Sequence, residues 1–238
     1  MLLIFSFCSC RAEERQGGIQ PQGLGSAEEA IQYDTPLSGP NLRDEIAEDL
    51  DLAKETYEGG YYLINLIVDS VSHQDYIRST FNIRGYNSNK GVYFAAYVPE
   101  EEREGIVPGN VVQIVGKLYT IEKQFNGAVF VEFTDAHCLG TSLSVSGEIK
   151  MIDHNSLGQK HCNLVDYSIL PDHGQIVVYL PEDSDYAVGD IISATGKLQT
   201  LSYTKDMPTH SVLPSTVTGG YTDLLYMKDP ESIEIVDD

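Results

Sequence analysis

The segment Val107–Thr120 recurs further along the chain. The first copy reads Val107-Pro-Gly-Asn-Val-Val-Gln-Ile-Val-Gly-Lys-Leu-Tyr-Thr120, the second Ala187-Val-Gly-Asp-Ile-Ile-Ser-Ala-Thr-Gly-Lys-Leu-Gln-Thr200. Gly109, Gly116, Lys117, Leu118 and Thr120 fall on Gly189, Gly196, Lys197, Leu198 and Thr200. Tyr97-Val-Pro-Glu100 precedes the first copy as Tyr179-Leu-Pro-Glu182 precedes the second. A repeat of about 80 residues is too long for a solenoid unit and suits a small β-domain. The full length of 238 residues leaves room for two such domains with separate cores.

From Gly60 onward the apolar pattern has the two-residue period of strands. The expected strands are Tyr61–Ser72, Thr80–Tyr86, Val92–Val98, Val111–Ile121 and Ala128–Phe133 in the first repeat. In the second they are Leu143–Asp153, Asn163–Ile169, Gln175–Leu180, Ile191–Leu201 and a late segment, Ser232–Val236. Turn-forming clusters such as Asn87-Ser-Asn89, Asn126-Gly127 and Asp172-His-Gly174 separate them. Alternation along the fourth strand sends Val112, Ile114 and Leu118 to one side and Gln113, Val115 and Lys117 to the other. Gly116 and Gly196 then sit on the inward side, where a barrel must bend sharply.

The order of strand, acidic loop, Gly-Asn or Gly-Asp turn, strand and Gly-Lys-Leu resembles oligonucleotide/oligosaccharide-binding (OB) modules, including those in surface lipoproteins of Bacteroidetes. The resemblance covers residues 60–236. It implies two tandem five-stranded OB-like barrels, over 60–140 and 143–238. It also implies a ligand face on strands two and three with their flanking loops. In the first repeat that face would include Arg84, Tyr86 and Tyr93, with Phe125 from the loop between strands four and five. Aromatic rings beside an arginine suit stacking on sugars or bases. They are also ordinary strand residues, and a chain with 15 tyrosines and no tryptophan places some on any surface.

Ahead of the barrels, Asn41–Tyr57 has the pattern of one short helix, within a segment 41–59 expected to pack on the first barrel. Leu42, Ile46, Leu50, Ala53 and Tyr57 share one face, Asn41 is placed to cap, and Gly59-Gly60 ends it. Residues 11–40 read as a flexible tether rich in Gln, Gly and Pro, with one helical turn expected after Ser26. Residues 1–10, Met1-Leu-Leu-Ile-Phe-Ser-Phe-Cys-Ser-Cys10, are apolar and too short to span a bilayer, which takes about 20 residues. They resemble the end of a bacterial lipoprotein signal peptide with Cys10 as the lipid acceptor. No basic region precedes the apolar run, so the natural start is expected upstream. Arg11-Ala-Glu-Glu14 resembles the acidic signal that directs Bacteroidetes lipoproteins to the outer face of the outer membrane; a solvated charge run is the other reading.

The net charge is −21. Such a chain repels phosphate backbones at long range, which disfavours sequence-independent nucleic-acid binding. Cys138 and Cys162 belong to the folded part, either as a disulfide or as separate buried thiols. Each follows a histidine, but the spacing fits no zinc finger or ribbon. The other histidines are scattered over turns, and the acidic loops Glu100–Glu104 and Glu182–Asp185 read as solvated. No metal or cofactor is expected. No hydrolase elbow, zinc-protease motif, phosphate loop or nucleotide-binding glycine fingerprint is present. The missing catalytic motifs, together with what the resemblances imply, lead to the expectation of a non-catalytic, lipid-anchored module of the bacterial outer membrane. Its contacts would be the membrane, through the anchor, and a protein or glycan partner. The alternative is an OB-type nucleic-acid-binding protein accessory to an extracellular nuclease.

Overall fold

The computed structural model describes residues 37, 39–73, 80–87, 91–155, 157–170, 174–201 and 224–236. The expectations for Cys10, for the acidic signal and for the turn after Ser26 lie outside these residues, as does most of the tether and the loop 202–223.

The single helix expected over Asn41–Tyr57 is not what forms. Two short helices occupy the segment, α1 (Gly39–Glu48) and α2 (Leu50–Tyr57). Asp49 separates them in an extended conformation, and its Oδ1 accepts hydrogen bonds from the backbone N–H groups of Asp51 and Leu52, 3.0 Å each. A carboxylate that caps the backbone in this way competes with helix continuation. Asn41, the expected cap, lies exposed within α1. The apolar face is the one the spacing gives. Leu42, Ile46 and Ala53 are buried in the core of the first barrel, with Leu50 and Tyr57 packed against it. The Glu58 carboxylate fastens the end of α2 to the barrel by accepting from the Ile121 N–H, at 3.0 Å.

Five strands follow, namely β1 (Tyr61–His73), β2 (Thr80–Tyr86), β3 (Val92–Pro99), β4 (Val111–Lys123) and β5 (Val129–Gly140). They close into a barrel in the order β1-β2-β3-β5-β4. β3 and β5 run parallel and the other neighbours antiparallel. Closure depends on long strands that serve two neighbours. β1 pairs with β4 over Tyr61–Ile67, passes a register shift between Val68 and Ser70, and pairs with β2 up to His73. A bulge at that place increases local twist and turns the strand. β4 bends at Gly116, where an added Cβ would lie 2.9 Å from the Ala136 Cβ. Alternate residues fill the interior, among them Ile64, Phe81, Ile83, Phe94, Val112, Ile114, Leu118 and Phe133.

The second half departs from expectation. It is not a closed five-stranded barrel but two sheets. β6 (Ser142–Glu148), β10 (Ile191–Lys197) and β13 (Ser232–Ile235) form a three-stranded sheet in the order β13-β10-β6. β7 (Met151–His154), β8 (Lys160–Val165), β9 (Gln175–Tyr179), β11 (Gln199–Leu201) and β12 (Leu224–Met227) form a five-stranded one in the order β11-β12-β9-β8-β7. Three strands that are continuous in the first barrel are interrupted here. Ile149-Lys150 separates β6 from β7, Leu198 separates β10 from β11, and the segment containing Pro230 separates β12 from β13. Proline has no N–H to donate to a ladder, so strand pairing stops there. β12 had no counterpart among the expected strands.

The sequence repeat is nonetheless a repeat of hydrogen bonding. Gly109 N–H donates to the Val68 carbonyl (2.8 Å) while Asn110 accepts from Val68 N–H (2.9 Å). Gly189 N–H donates to the Ile149 carbonyl (3.0 Å) while Asp190 accepts from Ile149 N–H (2.8 Å). Both glycines have positive φ, +90° and +101°, which explains why each copy keeps glycine there. The two halves also share a core. Ile67 and Val111 of the barrel are buried with Leu143, Leu164, Ile192 and Leu198 of the second half. Val111 N–H donates to the Leu198 carbonyl (2.8 Å), and Gln199 Nε2 to Asn110 Oδ1 (2.8 Å).

Candidate functional site

The outer face of β2, β3, β5 and β4 carries a groove of about 410 Å³. Its composition follows from register. One cross-strand row reads Tyr86, Tyr93, Phe130, Glu122, and the next reads Arg84, Ala95, Glu132, Thr120. Residues two apart on a strand share a face, so Tyr97 stands beside Ala95 on the side away from Tyr93. Ala95, the smallest side chain in these rows, leaves a depression between larger neighbours. Tyr93 and Phe130 form the apolar wall, with rings stacked at 5.3 Å and 21°, and remain 44% and 40% exposed. Asp69, Ser70 and Gln124 complete the lining.

The charges are unevenly matched. Among the described residues, Asp69, Glu122 and Glu132 line the groove against one cation, Arg84. Arg84 Nε donates to Asn82 Oδ1 at 3.1 Å, which fixes the guanidinium stem. Asn82 is itself buried, and its Nδ2 has no hydrogen-bond partner among the described residues. Partial burial raises the Glu132 pKa above the ordinary carboxylate value. Repulsion from Glu122 adds to this, and Arg84 pulls the other way. The folded chain therefore binds this proton more tightly than the unfolded chain does. Stability should fall as pH rises from the ordinary carboxylate value through the raised one, and the cost is fully present above it. Glu132→Gln is accordingly expected to raise the melting temperature at pH 7 and to flatten the pH profile in that window. Thermal melts from pH 4 to 8 would check this.

Two of the four residues expected on a ligand face, Arg84 and Tyr93, line the groove. Tyr86 lies in the same row, but its end of the face packs against the core of the second half. Phe125 is fully exposed in the turn between β4 and β5 and does not line the groove. Phe130, Tyr97, Glu122, Glu132 and Asp69 were not anticipated. The alternation of Val129–Phe133 marks Phe130 and Glu132 as outward, but only the parallel pairing of β3 with β5 brings them beside Tyr93 and Ala95.

The corresponding face of the second half is closed. Pairing places His161 opposite Tyr179, as Asn82 stands opposite Tyr97. There His161, Val177 and Tyr179 are 2%, 1% and 8% exposed. His161 was expected on a turn; it lies on β8 because that strand starts at Lys160. His137, likewise on a strand, meets Glu102 through Nδ1 at 2.7 Å, and the same carboxylate accepts from Cys138 N–H at 2.7 Å. The first acidic loop thus holds part of β5 in place, where full solvation was expected. Among the described residues no three histidine, cysteine or acidic side chains cluster in a way that would hold a metal ion.

Cys138 packs against the barrel core and Cys162 lies inside the second core, and both are free thiols. Burial pushes Cys138 up to about 11 and Cys162 up to about 12. Only the thiolate is an effective nucleophile. Iodoacetamide at pH 7 should leave both unmodified in the native chain and alkylate both in urea, as read from the masses of the peptides that contain them. No protein-family model matches this chain, and no curated protein matches it.

Proposed function

We propose that the chain is a non-catalytic binding module of the bacterial cell envelope, lipid-anchored at Cys10. Its first barrel is of the OB type and takes a glycan in the groove. The open groove across strands two and three carries this reading, because that is where OB barrels receive ligands. The strand order β1-β2-β3-β5-β4, with its parallel β3 and β5, supports the OB assignment. A glycan is favoured over a protein segment because a closed barrel offers no free edge for strand addition. Aromatic walls beside hydroxyl, amide and carboxylate groups suit sugar rings, whose hydroxyls need hydrogen-bond partners.

The nucleic-acid alternative meets an adverse field. Among the described residues Arg84 is outnumbered by carboxylates in the groove, and the whole chain is strongly acidic. Affinity for nucleic acid draws on counterions released by protein cations near phosphates. No saturable binding of a mixed-sequence oligonucleotide tighter than about 1 μM is expected at physiological salt. Fluorescence anisotropy tests this, and tighter binding would replace the glycan reading with the nucleic-acid one. The anchor is tested separately. Placed behind a basic signal-peptide segment, the chain should incorporate radiolabelled palmitate and Cys10→Ser should not; equal labelling would remove the anchor. For the site, an array of glycans probed with the chain and with Tyr93→Ala should give signals that the variant loses.

A further inference from the structure

We infer that the ligand is an amino sugar chain with free amines, its ring carbons against Tyr93 and Phe130 and its ammonium among Asp69, Glu122 and Glu132. This deepens the glycan reading and rests on it. The charge balance of the groove carries the inference. Among the described residues, three carboxylates face one guanidinium, and that guanidinium is already turned toward Asn82. Glu132 stands in the row next to Glu122 on the neighbouring strand, so the groove concentrates like charge beside a partly buried carboxylate. A neutral ligand would cover these carboxylates and remove their water while leaving their repulsion in place. A cationic ligand offsets it. Desolvated charge-assisted hydrogen bonds are also stronger than neutral ones.

Other features of the groove limit the cation's chemistry. The stacked pair Tyr93 and Phe130 offers an apolar surface beside the acids, so the ligand has an apolar face near its charge. Ser70, Thr120 and Gln124 supply neutral donors and acceptors around the same depression, which suits several hydroxyls on one rigid ring. A free amine on a pyranose combines all three: charge, apolar ring carbons and hydroxyls. A lysine side chain supplies charge and an apolar stem but no hydroxyls. Partial burial first, and repulsion from Glu122 second, raise the proton affinity of Glu132, and a cation beside it would offset the second of these.

The test is isothermal titration of the full chain with three probes: a glucosamine hexamer, its fully N-acetylated counterpart, and hexalysine. The glucosamine hexamer should bind at least about tenfold more tightly than the acetylated one, which corresponds to a single charge interaction. Its affinity should fall as salt rises from 50 to 300 mM. Tyr93→Ala, at an exposed position, should weaken it. Glu132→Gln should weaken it as well while raising the melting temperature, a split that a purely structural role would not produce. If the acetylated hexamer binds as tightly, the cationic assignment falls and the glycan reading stands. If neither hexamer binds, both fall. If hexalysine matches the glucosamine hexamer and Tyr93→Ala changes neither, the groove reads charge alone and the inference is overturned.

Discussion

Replacing Gly85 by alanine is expected to destabilise the chain by about 3 kcal/mol or more, the upper range for overpacking. The reason is one contact. A Cβ at Gly85 would sit 2.2 Å from the carbonyl oxygen of Ile67 and 3.5 Å from the Leu66 Cβ. The first distance is far inside van der Waals contact, and the obstacle is backbone, which no rotamer change can move aside. Gly85 pairs with Val68 at the register shift of β1, where the strand leaves β4 and turns toward β2. The bulge brings the β1 backbone over β2, and only a residue without a side chain fits beneath it. Alanine would separate β1 from β2 at the point on which barrel closure depends.

A control separates this clash from the general effect of replacing glycine. At Gly140 the nearest neighbour of an added Cβ is 3.7 Å away, an ordinary contact, and φ there is not positive. Gly140→Ala should be neutral, or stabilising by about 0.4–1 kcal/mol through the unfolded chain. Urea unfolding of the two variants measures the difference directly. Equal midpoints would mean that the Ile67 carbonyl does not press on Gly85 as described. Gly85 also contributes backbone to the groove wall, so Gly85→Ala should lose ligand affinity together with stability, whereas Tyr93→Ala should lose affinity alone.

The barrel was largely legible in the sequence because its strands are bounded by turn residues and some alternate. Thr80–Tyr86 carries Phe81 and Ile83 at alternate positions, and Val92–Val98 is an unbroken apolar run whose burial alternates only in the fold; β2 and the start of β3 fall there. The second half was misread because similarity of sequence does not carry continuity of strands. Leu143–Asp153 reads as one strand, yet Ile149 turns its N–H to Asp190 and Lys150 turns its own to Asn163, so the segment changes partner and splits. The groove was half legible for a related reason. Arg84 and Tyr93 lie on antiparallel neighbours that any hairpin reading joins. Phe130 and Glu132 come from a strand adjacent only through a parallel pairing of distant segments, which local pattern does not reveal. Tyr86 stands opposite Tyr93, and its packing against the second half was not legible, because the shared core through Ile67 and Val111 has no local signature.

The repeated Gly-Lys-Leu raises the question of whether its two glycines matter equally, and the packing around them says they do not. Gly116→Val is expected to cost on the order of 3 kcal/mol, and Gly196→Val about half that. At Gly116 an added Cβ would meet the Ala136 Cβ at 2.9 Å, the Ala136 Cα at 3.2 Å and the Phe133 Cβ at 3.3 Å. All three atoms are on or next to the backbone of β5, and Phe133 is fully buried against Phe94, so the strand itself must shift. Asp135, next to Ala136, already holds a positive φ of 47°, a conformation that costs a non-glycine residue energy and leaves β5 little freedom to adjust. At Gly196 the closest atoms are the Met227 Sδ at 3.0 Å and Cγ at 3.2 Å, with the Pro230 Cα at 3.1 Å. Methionine is unbranched and can swing its thioether aside, which leaves one backbone contact to relieve beside a break between strands. Chemical denaturation of the two valine variants should therefore give unequal losses, the larger at Gly116. Equal losses, or a larger one at Gly196, would show that the second half is as tightly closed around its glycine as the first.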